Sequence, residues 1–568
     1  MKAVRFALSL IALLGLTVAA VANDTATVGT SAPNIDSITL ADMKADVSFM
    51  ASDEMAGRET LRPEVDITAA YVKARFEKAG VKPAGENGGW YQDVQLKWNQ
   101  WKEKPTITLM REGKRGTLKY EDDFVSTTGA VTATGLEDVG IEFAGYAVND
   151  TERGYNDIAG VDLKGKLALI MRYEPTPWRR GGQRNPFSRS AFLNTKEALL
   201  REAGAVGILM VTGPESAAGN DNALRLPSPD AAEKSPPLSL VDGSRVTRTT
   251  DAEPEAVSMP FFHISITAAE HILGGEGSLK KLQQAFDQAD FTGRPDLSNT
   301  RVNVSAQAEE KRDACRNVAG KIEGELDEWI IFGAHHDHIG MGYFAARDAA
   351  RGGMGQVHNG ADDNASGVAT VLEIAEALAA SGRKPRRSFL FLTFTGEEKG
   401  LLGSSWYVKH PLIPHDRVVA MINIDMIGRI DQGKLELDGT SCSKLLDKHC
   451  REAAKLFPQL SVTFSDNPPM PASDHWPFFS EAGIPVFFPF GGMNRQMHTA
   501  EDDPETINYE GMVHTTRMLY EIAWRISEDP TQSDYNGPVK HARGPDGKLR
   551  NPQETDPKAE QEEEFRRD

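Results

Sequence analysis

Cysteine is nearly missing from this chain: Cys315, Cys442 and Cys450 are the only three in 568 residues. That excludes a disulfide framework. If SCSKLLDKHCREAAKLF is helical throughout, Cys442 and Cys450 stand two turns apart, too far to bridge. The three read as buried or lone thiols, and no Cys nucleophile is expected. Positive charge is also short, with 63 Lys and Arg against 82 Asp and Glu and a net charge of −19. Non-specific nucleic-acid binding and docking on anionic membranes are disfavoured on that ground. No internal repeat is visible. Long apolar runs are absent after the first residues, where Lys2 and Arg5 precede FALSLIALLGLTVAA, closing on Ala20-Val21-Ala22. A positive start, an apolar middle and a small-x-small end describe a signal peptide over 1–22, cleaved before Asn23. The run is short for a membrane span, and no cysteine follows it to carry a lipid. The mature protein is expected to be exported, periplasmic or secreted, without a membrane anchor.

The remaining composition is ordinary for a globular protein, 40% hydrophobic and 26% charged, and the length allows roughly three or four domains' worth of material. Residues 23–37 read as a flexible lead-in. In 38–135, two helices precede strand-like WYQDVQLKW and TITLMREGKRGTLKY. Ile67, Ala70, Tyr71 and Ala74 fall on one face of the second helix, which Gly80 ends. Residues 136–300 change character, with short strand-like pieces (IEFAGYAV, KLALIMRY, GILMVT) around helical TKEALLREAGAV. A basic insertion there carries Arg179, Arg180 and Arg184, a solvated loop or a substrate-facing patch. In 301–530 apolar strands alternate with amphipathic helices, which predicts an α/β fold with a mostly parallel or mixed sheet covered on both faces. Residues 531–568 turn polar, proline-rich and charged, as in a disordered tail.

The chemistry is concentrated in 301–530. His335 in IIFGAHHDH, Asp363 in GADDNASG, Glu398 in LTFTGEE, Asp425 in INIDMIG and His498 in MNRQMHTAED mostly follow strand-like runs. Ligands of open parallel sheets bind beyond the strands' carboxyl ends, so one fold can gather these residues. Imidazole and carboxylate together suit zinc. One carboxylate too many for a single tetrahedral ion suggests two ions sharing a bridge. Each motif alone has a plainer reading. Asp362 or Asp363 suits a helix N-cap, Glu397-Glu398 a solvated turn, and His336 and His338 mere packing. Asp425 in an apolar strand is costly without a partner, which a metal supplies. In His335-x-Asp337 one ring nitrogen is free for metal while the nearby carboxylate orients the ring. Glu397 is placed to act as a base.

These motifs, GAHHDHIG, GADDNASG, FTGEEKGLLGS, NIDMIG and HTAEDDPETI, resemble the zinc aminopeptidase and glutamate carboxypeptidase family of metallopeptidases. The resemblance is close over 310–527 and extends to an amino-terminal portion over 38–130. More loosely, 136–300 resembles the β-rich protease-associated domain inserted in some of these enzymes. It implies two Zn2+ per chain, one on His335 and Asp425 and the other on Glu398 and His498. Asp363 would bridge them, Glu397 would serve as general base, and Asp337 would support His335. Ser473-Asp474-His475 matches a recurring family segment without an assignable role. Met497 stands where some relatives carry a tyrosine beside the last ligand. The implied activity is an exopeptidase acting on peptide substrates, an aminopeptidase first. A dipeptidase or carboxypeptidase with the same centre remains open, with Arg429 or Arg495 for the substrate carboxylate, as do a single-zinc hydrolase and a non-catalytic receptor-like homologue.

Overall fold

The computed structural model describes residues 32–126, 133–178, 188–216, 234–243, 259–465 and 469–535, with the short pairs 542–543 and 549–550. The signal-peptide segment 1–22, the Arg179, Arg180 and Arg184 cluster and nearly all of the polar tail lie outside the described residues. No described helix is long and apolar enough to cross a membrane.

Helices α1 (Leu40–Met50) and α2 (Pro63–Ala79) open the fold. Thr39 caps α1 by accepting from the Asp42 amide, and Gly80 ends α2 in the left-handed region at φ 80°. Their periodicity is as expected, but the phase of α2 is not. Val65, Thr68, Ala69, Val72 and Phe76 face the core, whereas Ile67 is 48% exposed. Both stripes have helical spacing, and Phe76 with two valines offers more apolar area than the Ile67 stripe.

Two long strands, β1 (Tyr91–Arg111) and β7 (Thr300–Ile322), pair antiparallel over most of their length. Between them lie β2 (Ala133–Phe143), β3 (Leu167–Met171), α3 (Leu193–Glu202), β4 (Gly207–Val211), β5 (Ser239–Leu240), β6 (Phe261–Ile264), α4 (Ile266–Leu273) and α5 (Ser278–Asp287). At about 3.3 Å per residue each long strand reaches roughly 70 Å, enough to run from one core to another. Val318 and Ala319 of β7 belong to the larger core, while Val302 and Val304 pack with Phe143, Leu169, Leu209 and Phe262 in a second. Ile107, Leu109 and Leu118 join this second core although they precede residue 136.

The larger core is built on β8 (Leu326–His335), α6 (Ser366–Ala380), β9 (Arg387–Phe394), α7 (Leu402–Lys409), β10 (Val418–Asn423), β11 (Lys434–Asp438), α8 (Lys444–Ala454), β12 (Ser461–Phe464), α9 (His475–Ser480), β13 (Val486–Phe490) and α10 (Tyr509–Glu528). The sheet order is β12-β11-β13-β10-β8-β9-β7-β2-β3-β4-β6. Strands β13, β10, β8 and β9 are mutually parallel, while β7 and β11 flank them antiparallel. Every residue of β9 and β10 is buried, as required of strands with helices on both faces. The parallel block therefore turns four carboxyl ends toward one edge. Cys442 lies in a short turn before α8 rather than within it, and all three cysteines are buried and unpaired.

Candidate metal centre

His335 is the last residue of β8, the Glu397-Glu398 pair follows β9, Asp425 follows β10 and His498 follows β13. Asp363 enters from the turn between β8 and α6. That turn is tight: Gly360 has φ 60°, and a Cβ there would lie 2.3 Å from the Asp363 carbonyl oxygen and 2.5 Å from the His338 ring. Only glycine fits both the conformation and the space. The peptide bond between Asp363 and Asn364 is cis.

These side chains converge in two groups that share Asp363. On one side His335 Nε2 lies 3.3 Å from Asp363 Oδ1 and 3.4 Å from Asp425 Oδ1. On the other His498 Nε2 lies 3.1 Å from Asp363 Oδ2 and 3.1 Å from Glu398 Oε2. A tetrahedral ion with bonds of about 2.0–2.1 Å needs ligand–ligand edges of roughly 3.3–3.4 Å, so both groups fit zinc in size. His335 Nε2 and Asp425 Oδ1 are buried and have no hydrogen-bond partner among the described residues. Such orphaned atoms are expensive unless a cation takes them.

Charge points the same way. Asp337, Asp362, Asp363, Glu397, Asp425, Asp474 and Asp502 are all buried here, with Glu398 beside them. Burial opposes a charged imidazole at His498, yet Glu398 and Asp363 push its pKa up to about 12. His335 is likewise raised well above the usual histidine range against its burial, mainly by Asp425 and Glu397. Burial opposes ionisation of Asp363 too, but the neighbouring imidazoles of His335 and His498 hold it well below the usual range. Glu397 is shifted well upward by burial and then by Glu398, Asp474 and Asp425.

The surrounding shell departs from the sequence-based expectations in several places. The His335 ring does not hydrogen-bond the Asp337 carboxylate, whose Oδ1 is 3.8 Å from Nδ1; it contacts the Asp337 main-chain oxygen at 3.0 Å. The carboxylate accepts instead from the Thr60 hydroxyl (2.8 Å) and the Glu397 amide (3.1 Å). Asp362 is no N-cap: its oxygens accept from the Gly428 amide (2.7 Å) and the Asn494 side chain (2.8 Å), joining the loops of Asp425 and His498. His338 does more than pack, since its Nδ1 lies 2.8 Å from Glu398 Oε1. His336 contacts Thr393.

Two further residues, Asp502 and Arg58, escaped the sequence, and a third, Asp474, was named there without a role. Asp502 accepts the amides of Asp362 (3.0 Å) and Asp363 (3.1 Å). Asp474 is raised by burial to about 7 and accepts from Ser404. Arg58, fully buried in α1–α2 connecting chain, donates to the carbonyls of Met50, His336, Asn359 and Gly360 at 2.5–3.1 Å. The available signals were weak: the first Asp after HTAE, a serine before Asp474, an arginine in a loop far upstream. Replacing Arg58 by Met should remove a buried donor from four carbonyls, of which that of Gly360 keeps the Ala365 amide. We expect a loss of at least about 3 kcal/mol in urea-unfolding stability; a loss below 1 kcal/mol would show that the turns hold without it.

A mostly parallel sheet with such a cluster at its carboxyl edge defines an α/β protein with a candidate metal centre. Residues 317–523 match the model of peptidase family M28. The chain is 27% identical over 229 residues to leucine aminopeptidase 1 of Penicillium rubens, covering 38% of this chain and 57% of that protein. It is 27% identical over 277 residues to a probable glutamate carboxypeptidase, VP8, of Zea mays, covering 47% and 34%. The matched part is thus a little over half of the fungal relative's length and a third of the maize one. Among solved structures, an aminopeptidase from Aneurinibacillus sp. strain AM-1 aligns with 89% of this chain and 97% of its own, at a TM-score of 0.53 and 19% identity. That likeness is one of fold.

Proposed function

We propose that this chain is an exported exopeptidase that uses two zinc ions per chain and removes amino-terminal residues from peptides. The observation that supports it best is the pair of ligand groups meeting at Asp363, which offers one oxygen to each. In this reading His335 and Asp425 would hold one zinc, Glu398 and His498 the other, with Asp363 offered to both. Zinc bound there would polarise the scissile carbonyl and ease deprotonation of water. The protein's own part is proton handling and orientation. Glu397 takes the proton of the attacking water on its carboxylate and delivers it to the leaving amine. Asp337 fixes the Glu397 amide, and its main chain fixes the His335 ring. The His338 ring orients Glu398. With Met497 ahead of His498, no tyrosine hydroxyl is supplied at that position. Residues 136–300 form the inserted protease-associated-like domain in this reading, and the mature chain starts at Asn23.

Arg429 supports a second reading. Its Nε and Nη1 are buried without hydrogen-bond acceptors among the described residues, four positions after Asp425. A dipeptidase or carboxypeptidase would use such a cation on the substrate carboxylate. Chelated protein reloaded with zinc is expected to bind about two ions per chain. It should release amino-terminal residues from carboxyl-amidated peptides and leave amino-acetylated ones intact. Cleavage of acetylated but not amidated peptides would transfer the assignment to the carboxypeptidase reading.

A further inference from the structure

The two ligand groups are supported differently. His335 closes β8 and Asp425 follows β10, so both extend from buried, mutually parallel strands. Glu398 and His498 sit on loops, and what steadies them comes from distant parts of the chain. His498 Nδ1 contacts the Ala345 main-chain oxygen at 3.2 Å, and the His498 carbonyl accepts the Arg347 amide at 2.8 Å. Next to Ala345, the centroid of the Phe344 ring lies 4.3 Å from the ammonium of Lys399, the residue after Glu398. One short loop, 343–348, thus touches the surroundings of both ligands.

Lys399 is buried, its side chain 2% exposed, and donates to Glu59 Oε1 at 3.0 Å. Arg62 lies 4.0 Å from the other oxygen of the same carboxylate. A main-chain bridge pairs Glu59 with His338, and His338 Nδ1 lies 2.8 Å from Glu398 Oε1. The Glu59–Lys399 pair therefore reaches Glu398 by two routes, through the next residue in the chain and through the ring on its carboxylate. Burying two charges costs desolvation that their attraction barely offsets, so the value of the pair lies in position rather than stability. Ser235 completes it. This residue comes from within 136–300 and is buried; its hydroxyl donates to Glu59 Oε1 and accepts from Lys399 Nζ. The adjacent Lys234 reaches the Tyr343 hydroxyl at 3.2 Å. The segment is firmly seated, since β5 pairs Ser239 with Lys97 of β1. Leu240 packs with Val65, Val94, Leu96, Leu402 and Trp406 in a small core that includes the start of α7.

We propose that Lys399 and Ser235 are positioning residues for the metal group formed by Glu398 and His498, so that segment 234–240 ties the metal affinity of that group to the inserted region. The inference rests on the two-zinc reading. Residues that orient metal ligands typically change affinity by about 10–100-fold when removed. Here the effect is confined to one group. Among the described residues, Ser235, Glu59 and Lys399 make no hydrogen bond or ion pair with His335 or Asp425.

The test reads zinc affinity of the full-length protein by competition with a chelator. The double variant Glu59→Gln/Lys399→Met removes the pair without changing net charge, so the overall attraction for a cation is kept. In an Asp425→Ala background, which retains Glu398 and His498, it is expected to weaken zinc binding ~10-fold or more. In a His498→Ala background, which retains His335 and Asp425, the affinity should stay within ~2-fold. Ser235→Ala in the otherwise unaltered protein gives an independent reading, and decides alone if either background fails to hold zinc. It should weaken one of the two zinc affinities several-fold and leave the other. Equal losses in both backgrounds, or no loss in either, would overturn the proposal, as would a Ser235→Ala protein in which both affinities fall or neither does. An unaltered protein that binds one zinc or none would overturn the two-zinc reading itself, and this inference with it.

Discussion

Glu397→Gln is expected to lower kcat by about 10³-fold, equivalent to roughly 4 kcal/mol, with metal content unchanged. The argument is one of separated labour between neighbours. Glu398 and its oxygens face His498 and His338, whereas Glu397 belongs to neither ligand group. Its side chain is buried, and its amide is held by Asp337. Glutamine keeps the shape and the backbone hydrogen bond but accepts no proton, so binding should survive while turnover does not. Metal analysis beside steady-state kinetics reads both quantities. A variant that turns over at near wild-type rate with its metal in place would remove Glu397 from the mechanism.

Asp363→Asn should have the larger effect on the centre itself. One carboxylate faces both groups, Oδ1 toward His335 and Oδ2 toward His498. An amide offers only one oxygen and no charge, so at most one of the two groups keeps a complete set. Metal content is expected to fall from about two ions per chain to one or fewer, and kcat/KM by at least ~10³-fold. Circular dichroism on the same sample would establish that the fold is kept, since Asp502 still receives the main-chain amides of this turn. Two ions retained at full affinity would show that Asp363 does not join them.

How much of this was legible beforehand varied with the range of the interaction. Strands β8, β9, β10 and β13 were readable as apolar runs because parallel strands covered on both faces need them. The turn residues after those runs then stood out, as charged groups at the end of buried segments. Helix α2 shows the limit of the same reasoning. Its period is a property of the sequence, but which stripe meets the core depends on what is packed against it, and Ile67 was on the losing side.

The amino-acid sequence by itself determined that carboxylates and imidazoles would collect at one edge of a sheet, because local hydrophobic pattern fixes where strands end. Only the tertiary structure decided how they divide. The two groups around Asp363, the turn of the Asp337 carboxylate toward Thr60 and Glu397, and the Arg58 and Asp502 hydrogen bonds are all contacts between segments distant in the chain. No local periodicity encodes such contacts; they exist because a buried donor or acceptor must find whatever partner the packed chain brings within reach.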